Sequence, residues 1–313
     1  MDIVFFGSSK FAVPSLKALL DAGQNIVHCV TQPDKKKGRG LQSSGTPVKA
    51  AALELKLPVY QPQDLNSRES EEFLKKLKPD LFVVIAYGQL LKEEILSIPK
   101  VFSMNIHGSL LPKYRGAAPV NWAIIKGEET TGVTAIKLTK DMDAGPILAQ
   151  EAVEIDKDCN SLELEDTLSR LGADLLIECL KNIEADTYEI IMQDENKVSF
   201  APKLRKKDGL IAWDRLAPQI HDLIRGCFGW PGAYTVYNGK LLKVHKSSLA
   251  GAHVTLSPGN EPGTIVDISD GYIGVAAKDS ILFIRELQVE GKKRMTAQEF
   301  ISGYKIAVGE TLG

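Results

Sequence analysis

Two textures of hydrophobic patterning divide the chain. Up to about residue 190, short runs that are apolar throughout alternate with stretches of helical period. IVFF (3–6), NIVHCVT (25–31), VYQ (59–61), LFVVIA (81–86) and VFSMNIH (101–107) read as strands. PSLKALLDAG (14–23) and PVKAAALELKL (47–57) read as amphipathic helices, the first with Pro14 near its start and Gly23 just past its end. A long helix is predicted over 161–183, where Leu164, Leu168, Leu171, Leu175 and Cys179 keep helical spacing. Strands apolar at nearly every position and separated by helices are what a parallel sheet covered on both faces requires. After residue 207 the pattern changes. One helix fits 214–226, with Ile220, Leu223, Ile224 and Cys227 on one side, and the rest is short strands and tight turns. YTVYNGKLLKV and IVDISDGYIGVAA each place two β-rich runs around Asn238-Gly239 and Asp270-Gly271, the residue pairs that a type I′ turn favours. The expectation is a doubly wound α/β domain over 1–190, a basic linker at 191–207 and a small β-barrel over 208–313.

Composition narrows the class. The 313 residues are 44% hydrophobic and 25% charged, as in ordinary globular proteins. The N-terminus MDIVFFGSSKF has neither a basic leader nor a small-residue cleavage site. No apolar run reaches the roughly 18–20 residues needed to span a bilayer. Cys29, Cys159, Cys179 and Cys227 are scattered without a CxxC pair, which fits reduced thiols in a cytoplasmic protein. The net charge of −2 is unevenly spread, since residues 197–313 carry 16 Lys and Arg against 11 Asp and Glu. Lys197, Lys203, Arg205, Lys206 and Lys207 supply much of that excess in one short piece, which suits a polyanionic partner or a solvated linker equally well.

The chemistry concentrates in SMNIHGSLLPKYRGAAP (103–119). Residues two apart on a strand face the same way, so Asn105 and His107 project together at a strand's carboxyl end, where open α/β sheets bind ligands. An amide N–H can steady the oxyanion formed by attack on a carbonyl, and an imidazole can donate a hydrogen bond or move a proton. The alternative is a polar strand end whose Asn and His only satisfy loop backbone. In KDMDAGPI, Asp141 or Asp143 lies on a turn and is a candidate to hold the imidazole. The first strand leads into GSSKF rather than GxGxxG, and no Walker motif, GxSxG elbow or metal-ligand cluster is present. The loop 32–46, QPDKKKGRGLQSSGT, is long for its place and basic, a mobile arm that orders on phosphate or a solvated insertion.

NIHGSLLPKYRGAAP together with MDAGPI resembles the formyltransferases that use 10-formyltetrahydrofolate, in particular the branch that formylates methionyl initiator tRNA. FFGSSKFAVPSL, TQPDKKKGRG followed by PVK, AYGQLL and ELQVEGKKRMTAQEFISGY extend the likeness over nearly the whole chain. The resemblance implies a Rossmann-like catalytic domain followed by an OB-like barrel. It implies Asn105, His107 and Asp143 as the catalytic trio. It implies folate around Ser109, Leu110, Leu111 and Pro112, with the loop Tyr87, Gly88, Gln89, Leu90 near the pterin. Arg39 becomes a contact to the tRNA acceptor stem, with Lys35, Lys36, Lys37, Lys203, Arg205, Lys206 and Lys207 as further cations for that partner. The expected protein is a monomer without metal or membrane attachment.

The nearest rival is a formyltransferase acting on an amino sugar nucleotide, which shares the HGSLLPKYRG core. A formylfolate hydrolase or a glycinamide ribonucleotide transformylase has no need of the C-terminal half. A non-catalytic RNA-binding protein using barrel and linker is the reading from another class.

Overall fold

The computed structural model describes residues 1–37, 42–250, 256–257, 259–269 and 271–313. The chain divides into two compact units, each gathered from several stretches. Unit 1 takes residues 1–119, 130–153 and 165–201, and unit 2 takes 120–129, 154–164 and 202–313.

The elements run β1 (Asp2–Gly7), α1 (Val13–Asp21), β2 (Asn25–Val30), β3 (Lys35–Lys37), β4 (Gln42–Ser44), α2 (Pro47–Glu54), β5 (Val59–Tyr60), α3 (Arg68–Lys76), β6 (Leu81–Ile85), α4 (Glu93–Leu96) and β7 (Phe102–His107). There follow α5 (Pro119–Ile125), β8 (Thr130–Lys137), β9 (Ile147–Glu154) and α6 (Ser161–Glu184). Unit 1 is built on a seven-stranded sheet in the order β5-β2-β1-β6-β7-β8-β9. Its first five strands are parallel and β8 is antiparallel to β7, so the mainly parallel, Rossmann-like expectation holds. Alternation on β1 sets the layers: Val4 and Phe6 join Val30, Phe82, Leu74 and Ile95 in one cluster, while Ile3 and Phe5 are equally buried on the other face. Gly172 of α6 lies against Ile106 and Val133, which leaves Asn105 and His107 on the opposite side of β7.

Strand order reverses between β1 and β6. Their carboxyl ends are tied there by Ser8 N–H to the Ala86 carbonyl at 3.2 Å and Ser8 Oγ to the Tyr87 carbonyl at 2.8 Å. The helix α3 has a polar sequence and buries only Ser70 and Leu74. It is held by the Ser67 cap on Ser70 N–H, by acids in its first turn and by lysines in its last. The long basic loop is more ordered at its base than an open arm, because β3 and β4 pair antiparallel from Lys35↔Ser44 to Lys37↔Gln42. Arg39, which falls between these strands in sequence, lies outside the described residues.

Unit 2 adds α7 (Ala217–Gly226), β10 (Ala233–Tyr237), β11 (Lys240–Leu249), β12 (Ile265–Ser269), β13 (Tyr272–Ala276), β14 (Ile281–Val289), β15 (Met295–Thr296) and α8 (Ala297–Tyr304). Its antiparallel sheet follows β10-β11-β14-β13-β12, with β15 on β14. Asn238 and Gly239 have φ of 49° and 72°, which is why an Asn-Gly pair turns the first hairpin. Asp270 of the second turn lies outside the described residues. Among the described residues, no β12–β10 ladder closes the expected barrel. Residues 309–313 lie between those edges instead, bonding Ile265 and Gly263 on one side and Val236 on the other. Inside are Trp213, Ile220, Leu242, Ile273, Ile284 and Phe300. Among the described residues, no helix is long and apolar enough to cross a membrane.

Candidate active site

The carboxyl end of β7 puts Asn105 opposite Val84 of β6 and Ile136 of β8, with His107 opposite Thr134. Asn105 is half-buried, whereas His107 is 6% exposed. The imidazole Nε2 lies 3.0 Å from the Tyr114 carbonyl, which can only accept, so that nitrogen carries the proton. Nδ1 is the other ring nitrogen. It faces Asp143 Oδ1 at 3.6 Å, an ion-pair distance once the ring is protonated.

Asp143 is an unusual residue in its own right. Its backbone adopts φ 52°, a region that aspartate tolerates better than most side chains. The carboxylate accepts Gly116 N–H at 2.8 Å through Oδ2, which turns Oδ1 toward the histidine. Beyond it, Gly145 cannot be replaced by a larger residue, because a Cβ there would overlap the Lys137 carbonyl oxygen. Of the two aspartates left open by spacing, the structure therefore brings Asp143 to His107.

The loop after β7 is fixed by bonds to its own neighbours. Ser109 Oγ donates to the Lys113 carbonyl at 2.7 Å, and Thr134 Oγ1 both donates to the Ser109 carbonyl and accepts Leu111 N–H. Gln150 Nε2 adds bonds to Leu111 O and to Thr134. Ser109 and Leu111 are accordingly buried, the latter against Ile136 and Ile147, while Leu110 and Pro112 keep partial exposure. In the loop after β6, Gly88 has φ 91°, and Leu90 is exposed. Gln89 accepts Leu65 N–H. Tyr87 departs from its neighbours. Its ring packs edge-on against Phe6 in the apolar core, and burial pushes its phenol well above the usual tyrosine range. Its hydroxyl has no hydrogen-bond partner among the described residues. The Tyr87 side chain thus supports the loop from beneath.

Sequence reasoning missed a second ring of residues. Arg115 is 7% exposed. Its guanidinium donates to Gln193 Oε1 through Nε and Nη2 at 3.0 and 2.8 Å, and to Glu195 Oε1 at 2.8 Å. The pairing with Arg115 holds the Glu195 carboxyl below the ordinary glutamate range. Gln193 in turn donates to the Asp143 and Gly145 carbonyls. Ser199 takes Tyr114 N–H on its hydroxyl and Arg115 N–H on its carbonyl, and Ala201 N–H returns to the Arg115 carbonyl. Residues 193–201 fall in the stretch read as the start of a basic linker, and only their apolar interruptions, VSFAP, hinted at packing.

The basic residues lie apart from this cluster in the chain. Lys35 is exposed on β3, where Lys36 and Lys37 continue the strand, and Lys203, Arg205, Lys206 and Lys207 are exposed in unit 2. Among the described residues, no group of three or more metal-ligating side chains occurs.

Comparison with known proteins places the chain in a family. Residues 1–180 match the formyl transferase family and residues 203–305 match the formyl transferase C-terminal domain. A methionyl-tRNA formyltransferase of Desulforamulus reducens is 43% identical over 313 residues, covering 100% of this chain and 98% of its own. One from Clostridioides difficile is 42% identical, with both chains covered in full. Among solved structures, an N-formyltransferase of Helicobacter canadensis, in complex with folinic acid and dTDP-3-aminofucose, superposes with a TM-score of 0.66. That match has 21% identity and covers 94% of this chain and 100% of the other.

Proposed function

The chain belongs to the formyl transferase family, and we propose that it moves the formyl group of 10-formyltetrahydrofolate onto the α-amino nitrogen of methionyl initiator tRNA. The observation that carries this reading is the identity of more than 40%, over essentially full length, to relatives named for that activity. The likeness to a sugar N-formyltransferase is half as strong in identity and speaks for the fold.

Attack by the neutral amine on the formyl carbon forms the new C–N bond and places negative charge on the formyl oxygen. The Asn105 amide, partly exposed at the strand end, donates to that oxygen, an interaction whose loss typically costs about 3 kcal/mol at the transition state. His107 has its Nε2–H committed to Tyr114, so Nδ1 takes the proton shed by the amine. The imidazolium so formed faces Asp143 and can also donate to the oxyanion. Collapse breaks the bond to the folate nitrogen, and Nδ1 returns the proton there. Folate is assigned to the loop Ser109, Leu110, Leu111 and Pro112 together with Gly88, Gln89 and Leu90, while Tyr87 contributes by packing. Holding both substrates together supplies a further large share of the rate. Lys35, Lys36 and Lys37 of β3, the exposed cations of 203–207 and Arg39 are assigned to the phosphates of the tRNA.

The experiment is formyl transfer from 10-formyltetrahydrofolate to methionyl initiator tRNA, with an amino sugar nucleotide run in parallel. Transfer to the tRNA that disappears in His107→Ala supports the reading. Transfer to the sugar nucleotide alone overturns the substrate and keeps the chemistry.

A further inference from the structure

We infer that Gln193 is a positioning residue for the formyl-transfer site, setting the backbone of the turn that presents Asp143 to His107. This inference rests on the functional reading above. It begins from a geometric fact. Three chain segments distant in sequence meet on one buried amide: the loop holding Arg115, the turn 143–145 and the returning stretch at 193–201.

The amide's orientation is fixed by its partners. Carbonyl oxygens only accept and a guanidinium only donates, so Nε2 must face the Asp143 and Gly145 carbonyls, at 2.8 and 2.7 Å, and Oε1 must face Arg115. Both amide hydrogens are used, and both lone pairs of Oε1 are matched by guanidinium N–H groups at 3.0 and 2.8 Å. At 9% exposure, water cannot readily substitute for any of the four bonds. Arg115 is braced in its own turn by Glu195 through Nη1 and Nη2 at 3.3 and 2.8 Å. The residue after Arg115 is Gly116, whose N–H holds the Asp143 carboxylate. Asp143 is therefore gripped at two points by one assembly, its carbonyl by Gln193 and its side chain by Gly116.

Such bracing matters here because Asp143 sits in a left-handed backbone conformation, at φ 52°, which the local sequence alone does not enforce. Release of the turn lets the carboxylate drift from a histidine already 3.6 Å away. A misplacement of about 1 Å can cost roughly a hundredfold in rate. Glutamine suits this position because its one amide is both donor and acceptor. Glutamate keeps the pairing with Arg115 and loses both donors to the turn. Asparagine is one methylene too short to reach Arg115 and the turn together.

The test is Gln193→Glu, with Gln193→Met as the uncharged variant of similar length. Steady-state kinetics give kcat and KM separately, normalised to the folded fraction by near-ultraviolet circular dichroism. We expect kcat to fall by on the order of tenfold to a hundredfold while KM for both substrates stays within about threefold. In parallel, hydrogen exchange at the Gly116 amide should quicken at least about tenfold, since its acceptor has moved. A folded fraction with wild-type kcat in either variant, or unchanged Gly116 exchange, overturns the inference. A wild-type protein that transfers no formyl group overturns the functional reading instead, and the exchange measurement still decides whether Gln193 sets the turn.

Discussion

Replacing Asp143 by asparagine separates its charge from its shape. Asparagine tolerates the left-handed backbone as aspartate does, and its side-chain carbonyl can still accept Gly116 N–H. Stability should therefore change by less than about 1 kcal/mol. What disappears is the counter-charge of the imidazolium that forms during transfer. Two unit charges 3.6 Å apart interact by roughly 4–5 kcal/mol at an effective dielectric near 20, about three decades of rate. The Asp143 side chain keeps 13% exposure, so this is a ceiling, and a loss in kcat on the order of a hundredfold to a thousandfold is expected. Asp143→Ala should differ in kind. It forfeits a charge-assisted hydrogen bond and places alanine at positive φ, together about 2–5 kcal/mol of stability. The assay pairs thermal melts with turnover at saturating concentrations of both substrates. An Asp143→Asn protein within tenfold of wild-type kcat would refute the electrostatic reasoning, whatever its stability.

Asn105→Ala should lower kcat by on the order of a hundredfold to a thousandfold without altering folate affinity, as equilibrium binding and turnover together will show. His221 gives a pH prediction. Burial first, and the Arg225 charge further, lower its pKa, and the ring is held neutral with Nε2 donating to Lys157 O and Nδ1 accepting from Ser247. The unfolded chain takes up its proton near pH 6.5, so this contribution to stability is complete above that value and is lost as pH falls below it. Melting temperature should drop between pH 7.5 and 5.5, and less so in His221→Gln; equal slopes would remove His221 from the account. Lys206→Ala with Lys207→Ala should flatten the slope of log affinity for tRNA against log salt by about 1–2 and leave kcat untouched. An unchanged slope means those lysines meet no phosphate.

The patterns that survived translation into three dimensions were those enforced locally. Period-two and fully apolar runs located β1, β2, β6 and β7 because a buried strand leaves no choice of face. Asn238-Gly239 marked its hairpin because few other pairs accept two positive φ angles. Elements stabilised by context were harder to see. The helix α3 rests on a cap, a dipole, Leu74 and the ring of Phe73 against Tyr60, too few apolar positions in a charged run to announce it. The pair β8 and β9 needs no helical crossover, so the alternating pattern gave no hint of it. At the site, Asn105 and His107 were visible through strand geometry alone. The spacing of KDMDAGPI left Asp141 and Asp143 equivalent, and only the folded turn distinguishes them. Arg115 meets Gln193 and Glu195 across 78 and 80 residues, a separation that no local rule bridges.

That separation has a consequence for the order in which the protein is made. The strand carrying Asn105 and His107 leaves the ribosome long before Gln193, Ser199 and Ala201 are added to the chain. A nascent chain halted at residue 180 holds all three residues assigned to chemistry, yet it lacks every partner that Arg115 and the Asp143 turn use from 193–201. The seven-stranded sheet can assemble early, while the geometry needed for turnover waits for the returning segment. On the proposed reading, the bracing of the Asp143 turn is complete only after elongation past Ala201, and a chain terminated before Gln193 should turn over more slowly even with its strands in place.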